Sequence, residues 1–298
     1  MNRFGRLFVF AMGVMLLDPL NCGAGEKELN DHWHNFRGPN YNGVSETAHP
    51  PTTWSSTENV AWKVELPGKG SSSPIVWGDR VFISSAIKVG QADTPAPKRM
   101  NRREIARKFD EDGDGQLNPQ ERKAAMSFML EQQRAALTEH QFVVICFDRS
   151  SGKELWKQVA VERKPVDGHH RDSGYASASP VTDGEVVIVN FGSMGLYCYD
   201  MKGALKWKRT DLGEMTMRGS FGEGSSVVIS GDSVVLPWDH EGPSRIEVLN
   251  RMTGDTVWKT ERDEPSNWVT PRVVKVDGQM QIIQGGQNYT RGYDLESG

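Results

Sequence analysis

Twelve residues, Asp110 to Glu121, read DEDGDGQLNPQE and place oxygen donors at intervals that suit a hard divalent cation. Asp110, Asp112 and Asp114 alternate along the chain, so a tight loop can turn all three carboxylates inward. Gly115 follows in the sixth position, where the backbone must bend sharply and a positive φ carries no Cβ penalty. Gln116 in the seventh would offer its backbone carbonyl. Asn118 in the ninth would act directly or through a water, and Glu121 in the twelfth would close the shell with both oxygens. Ca2+ takes about six to eight oxygens at roughly 2.3–2.6 Å, and this run supplies such a set. A solvated acidic loop between two strands would need none of these constraints.

Other reactive arrangements are sparse. The chain has no GxSxG elbow, no phosphate-cradling GxxxxGK[ST] and no HExxH. Asp239 and His240 are adjacent, but no nucleophile is tied to them. His169 and His170 are neighbours whose side chains point apart in an ordinary backbone, and no carboxylate or cysteine follows at metal-binding spacing. No catalytic residue is assigned.

The twelve-residue run matches the EF-hand loop. That resemblance implies two flanking helices, and both flanks are rich in helix formers: MNRREIARKF before, PQERKAAMSFMLEQQRAALTEH after, with Pro119 near a first turn. EF-hands usually work in pairs and no second loop is present, so a structural clip is expected rather than a sensor. The composition changes abruptly over residues 91–139, which marks an insert in a chain otherwise rich in Val, Ser and Gly.

What carries the insert is a repeat. Tryptophans fall at Trp62, Trp156, Trp207 and Trp258, each closing a related ending: ENVAWK, FDRSSGKELWK, YDMKGALKWK and LNRMTGDTVWK. The last two intervals are both 51 residues and the first is 94, the excess being the insert. A fifth ending, YDLESG, starts at Tyr293. Between the endings lie two short β-rich runs around Gly-Asp or Asp-Gly pairs, as in SSPIVWGDRVFIS and SPVTDGEVVIV, which are hairpin signals. Two hairpins in about 45–50 residues make one four-stranded propeller blade. The fold expected is therefore all-β: an incomplete β-propeller of about four to five four-stranded blades, carrying a small helical EF-hand insertion.

The Asp–Gly–Trp pattern, together with the opening WHNFRGPNYNGVS, resembles the pyrroloquinoline quinone (PQQ)-like repeat family of secreted bacterial type. The resemblance implies that each tryptophan docks on the neighbouring blade, its ring filling the wedge and its N–H meeting a backbone acceptor. It also implies further blades, so the sequence is expected to be a piece of a longer protein. The organisation expected is a signal peptide at 1–25, a propeller segment and first blade at 26–90, the insert at 91–139, and propeller blades at 140–298.

Export follows from Arg3 and Arg6 ahead of the apolar run Leu7 to Leu17, with small residues at Gly23–Gly25. Such a run is too short to span a bilayer. Location is thus expected to be periplasmic or extracellular, with no transmembrane segment. The net charge of −4, without a basic stretch, gives no nucleic-acid surface. Cys146 and Cys198 occupy matching repeat positions, hence different sheets, and are expected to stay unbonded.

Loops entering the innermost strands should line one mouth of the ring. They carry Lys69, His169, His170, Arg171, Tyr175, Arg218 and Trp268. Lys69, His169, Tyr175, Arg218 and Trp268 could cradle an anionic planar ligand, or could simply pack the loops against one another. The function expected is an extracytoplasmic binding scaffold with one Ca2+ and an unidentified protein or small-molecule partner at the mouth. A PQQ-dependent alcohol or sugar dehydrogenase is the first alternative, although the vicinal cysteines of such enzymes are missing, which argues against PQQ itself. An outer-membrane assembly propeller is the second; it is normally a lipoprotein, and Cys22 sits in a poor context for lipidation.

Overall fold

The computed structural model describes residues 29–90 and 100–298. The expected signal segment and residues 91–99 of the insert lie outside the described residues. Four antiparallel sheets follow one another along the chain. The first holds β1 (Ile75–Trp77), β2 (Arg80–Lys88), β3 (His140–Asp148) and β4 (Glu154–Arg163) in sequence order. The second holds β5 (Val181–Thr182), β6 (Val186–Asn190), β7 (Leu196–Asp200) and β8 (Leu205–Arg209), and the third β9 (Val228–Ser230), β10 (Ser233–Trp238), β11 (Ser244–Asn250) and β12 (Thr256–Arg262). The fourth has three strands, β13 (Arg272–Val276), β14 (Gln279–Gly285) and β15 (Thr290–Asp294). Innermost strands β1, β5, β9 and β13 lie side by side in succession, so the sheets form an arc of propeller blades. The expected fold class stands.

Alternation within strands explains how each blade binds two neighbours, because successive side chains leave opposite faces of a strand. Along β6, Val187 and Val189 join Ile75, Phe82 and Phe142 of the first blade in one core. Val186 and Ile188, from the same strand, join Val234, Leu236 and Trp238 of the third blade in another. A third core ties Val235, Ile246 and Val248 to Ile282 of the last sheet. Strands buried on both faces therefore read as continuous apolar runs, such as VVIVN, while the outermost strand β4 shows a half-exposed alternation.

The repeated tryptophans close these seams. Trp62 Nε1 donates to the Arg149 carbonyl at 2.8 Å, Trp156 to Met201 at 3.1 Å, Trp207 to Arg251 at 2.8 Å, and Trp258 to Leu295 at 2.9 Å. Each acceptor follows the Asp or Asn that opens the next blade's last hairpin turn. In that turn the indole lies on a glycine. A Cβ at Gly254, where φ is +76°, would sit 2.6 Å from Trp207, so both the backbone conformation and the contact require glycine. Asp148, Asp200, Asn250 and Asp294 brace the turns by accepting backbone N–H bonds from residues two to four positions on. Cys146 and Cys198 are free and buried in different blades, and burial pushes both thiols up to about 12.

The insert leaves the first blade between β2 and β3. Among the described residues it contains two helices, α1 (Arg102–Phe109) and α2 (Pro119–Ala135). Val89 and Gly90 both donate to the Glu139 carbonyl, at 3.0 and 3.4 Å, and tie its two chain ends together.

Candidate functional site

The acidic loop is built by its own residues. Asn101 caps α1: its Oδ1 accepts from the N–H groups of Arg103 and Glu104, both at 3.0 Å, while Glu104 Oε2 accepts the Asn101 N–H at 2.7 Å. This reciprocal box satisfies otherwise orphaned N–H groups of the first turn. The helix ends as the Asp110 N–H donates to Ala106 O at 2.7 Å. Asp110 then accepts from Gly113 and Gly115 at 2.8 and 2.9 Å, Asp112 from Asp114 at 3.2 Å, and Asp114 from Gln116 at 2.6 Å. Gly113 and Gly115, at φ +73° and +80°, make the reversal. As a result one carboxylate oxygen from each of Asp110, Asp112 and Asp114 lies within 4.8 Å of the others.

The remaining expected ligands stand differently. Glu121 is buried, and its two oxygens accept the N–H groups of Glu111 and Asn118, each at 2.8 Å, pinning both ends of the loop. Asn118 Oδ1 accepts from Gln120 and Glu121 at 2.9 and 3.0 Å, an N-cap on α2. Gln116 enters the network through its N–H. Beneath the loop, Phe109 and Phe128 meet at 5.5 Å between ring centroids, with Lys108 Nζ 3.3 Å over Phe128. Three like-charged carboxylates held this close repel one another, and a bound cation relieves that repulsion.

The insert stands on the mouth side of the ring. His140, at its foot, packs edge-on to Tyr175 at 4.8 Å, and Tyr175 meets His169 at 4.5 Å. The five mouth residues do not converge on one cavity. His169 Nδ1 pairs with His170 O at 2.7 Å. Arg218 faces Glu241 at 3.5 Å, and its N–H donates to Ser266 Oγ at 2.9 Å. Trp268 Nε1 donates to Gly222 O at 2.7 Å, so its indole braces the neighbouring loop. Lys69 lines a separate cleft with Arg171. Most of the set therefore packs loop against loop.

Sequence reasoning missed the buried acids beside Tyr175. Two adjoining small voids share Tyr175, Phe191, Met217 and Glu223. Glu223 keeps some exposure along its side chain, but its carboxylate is enclosed, accepting from Ser193 N–H at 2.6 Å and Ser193 Oγ at 2.5 Å. Burial pushes its carboxyl up to about 7 against those two hydrogen bonds, which pull it down. Asp167, also buried, takes Ser220 Oγ at 2.7 Å and the Gly168 N–H at 2.8 Å through Oδ1, while its Oδ2 has no partner among the described residues. Asp239, adjacent to His240 in sequence, is instead clamped by Arg262 at 2.8 Å and Asn267 at 2.5 Å. The only signal for Glu223 was a lone carboxylate between glycines in FGEGSS.

Successive blades joined by indole-on-glycine turns define a propeller of the PQQ-like repeat class. Residues 140–298 match the family model described as outer membrane protein assembly factor BamB, and the chain belongs to that family. Solved structures of similar fold include BamB from Moraxella catarrhalis, 18% identical with a TM-score of 0.36, covering 53% of this chain and 46% of that one. A europium-containing methanol dehydrogenase is 11% identical with a TM-score of 0.33, covering 66% of this chain and 26% of that one. The computationally designed Ika4 protein is 12% identical with a TM-score of 0.31, covering 53% and 85%. The chain thus spans about half the length of the BamB structure and about a quarter of the dehydrogenase. No curated protein sequence matches it.

Proposed function

We propose that this chain is an extracytoplasmic propeller scaffold whose helical insert is clipped by one Ca2+ and whose mouth face receives a partner. The observation that carries the calcium assignment is the approach of Asp110, Asp112 and Asp114 to within 4.8 Å in a loop pinned at both ends by Glu121. These four carboxylates are the groups that would hold the ion, with the Gln116 carbonyl and Asn118 completing the set. The ion would supply charge neutralisation and fix the angle between α1 and α2. An affinity of about 10⁻⁴–10⁻³ M suits an extracellular module of this kind.

Scaffolding is supported by the fate of the conspicuous mouth residues. Arg218 is ion-paired, Trp268 is hydrogen-bonded to a neighbouring loop, and Asp239 is locked to Arg262. These residues do not form a flat aromatic slot suited to a planar quinone. The family match supports a scaffold or assembly-factor-like role, the latter being the second reading. Export is supported by the basic, then apolar, N-terminal sequence, and no helix among the described residues is long and apolar enough to cross a membrane. We place the signal at 1–25, the insert at 91–139, and the propeller at 26–90 and 140–298.

Calorimetric titration of the full chain with CaCl2 tests the assignment. Saturable heat in the wild type, lost in the Asp110→Ala, Glu121→Ala double variant, is expected. Absence of heat at millimolar Ca2+ would remove the clip. An absorbance band that saturates at one PQQ per chain, and bleaches on adding an alcohol, would replace the scaffold with a dehydrogenase.

A further inference from the structure

An open cleft at the mouth brings together residues that lie far apart in the sequence. It measures about 330 Å³ and lies between the loop Leu66–Ser71 and the segment Arg171–Ser173, over Ile83–Ser85 of β2. Glycines let its walls approach. A Cβ at Gly70 would lie 2.8 Å from the Ala176 carbonyl, and one at Gly68 would lie 2.3 Å from the Ala86 carbonyl. The walls are then stitched by the Ser71 N–H donating to Ala176 O at 3.2 Å and by Lys69 pairing through its backbone with Ala86. Lys69 is thereby held at the cleft by its main chain, while its ammonium has no ion-pair partner among the described residues.

The lining chemistry is specific. Lys69 and Arg171 supply two cations, of which Arg171 is ion-paired with Asp172 at 3.4 Å, so the uncompensated charge of the cleft is that of Lys69. Ser71, Ser85 and Ser173 contribute hydroxyls, while the hydroxyl of Ser84 leaves the other face of β2 toward Ala178. Those of Ser85 and Ser173 donate to backbone carbonyls, at 2.5 and 3.1 Å, which leaves their lone pairs free to accept. Leu66 and Ile83 add small apolar surface, and no aromatic ring lines the cleft. A flat conjugated ligand would find nothing to stack on. A saturated ligand with many hydroxyls and one negative group would find donors, acceptors and a charge partner.

We infer that this cleft binds a small anionic polyol: a sugar carrying a phosphate or carboxylate, its anionic group between Lys69 and Arg171 and its hydroxyls on the serines and Asp172. The volume lies at the lower end of the range for small-molecule sites, about 300–1,000 Å³, and suits one or two sugar rings. Because both cations are exposed, binding weakens as salt rises. This inference goes beyond the scaffold and calcium reading and uses no residue of the Asp110–Glu121 loop, so either can fail while the other stands.

The test is calorimetric titration of the full chain with glucose 6-phosphate, glucuronate, glucose and inorganic phosphate. Either anionic sugar, or both, should bind, with glucose at least about tenfold weaker. The ratio of the two anionic sugars separates phosphate from carboxylate as the natural group. Lys69→Ala and Arg171→Ala should each cost about tenfold, with circular dichroism confirming the fold, while Lys69→Arg keeps most of the affinity. Three outcomes would overturn the proposal: no heat from either anionic sugar at about 10 mM, glucose binding as tightly as they do, or affinities unmoved by both alanine variants. Inorganic phosphate matching glucose 6-phosphate would equally overturn it, reducing the cleft to a bare pair of cations.

Discussion

The hydrogen bonds that join blade to blade and those that shape the insert differ most in reach. Trp156, Trp207 and Trp258 each bond a carbonyl 37 to 45 positions away, across a seam between two blades. In the insert, the acidic side chains bond N–H groups two to ten positions away, on an exposed loop. The blades therefore depend on one another, since a seam fails for two sheets at once. The insert depends on itself and on whatever neutralises its carboxylates. Loss of order in one region should leave the other measurable.

The largest effect should come from a seam. Trp207→Ala removes an indole wedged on Gly254 and its bond to Arg251, with an expected cost of about 3–5 kcal/mol. Thermal unfolding followed by near-ultraviolet circular dichroism should fall by roughly 10 °C. A fall of only a degree or two would mean that the seams are not cooperative, and the contrast with the insert would collapse.

A smaller effect sits where two blade loops meet. Glu223 has a carboxyl raised to about 7 from an ordinary 4.5, so the fold favours its protonated form. Its stabilising contribution is complete below the ordinary value and is lost as pH rises through about 7. The wild type should therefore lose stability between pH 5 and 8 relative to Glu223→Gln, whose curve stays flatter, and parallel melting series would read the difference. Depressed carboxyls such as Asp148, held down by Ser150 and Ser151, act at the acid end instead and cancel in this comparison. Parallel curves for the two proteins would place the Glu223 carboxylate in water.

The smallest effect belongs to the insert. Asn101→Ala deletes the cap of α1 at a local cost of about 1 kcal/mol. Amide exchange should quicken within residues 101–109 while the melting temperature of the blades stays put. A lowered global transition would show that the insert stabilises the propeller and is not merely carried by it.

These reaches also explain what could be read from sequence. The seam is encoded in repeating positions, so Trp62, Trp156, Trp207 and Trp258 identified the architecture without any knowledge of what they touch. The acidic loop is legible because its geometry is fixed within twelve residues. The mouth was not legible in the same way. Lys69 and Trp268 come from loops some two hundred positions apart, and whether such loops meet is set by blade twist and loop path. The structure turns Trp268 onto Gly222 and leaves Lys69 with Arg171. Glu223 escaped notice because its enclosure comes from Ser193 on a different loop. Asn118 was expected as a ligand by position, and its second role, capping the first turn of α2 through its side-chain oxygen, shows only in the structure.

Hydrogen–deuterium exchange of the full chain, with calcium and with a chelator, tests the two-region account most directly. Calcium should slow exchange over residues 101–135 and leave β1 to β15 unchanged. Protection spread through the blades, or none in the insert, would contradict it.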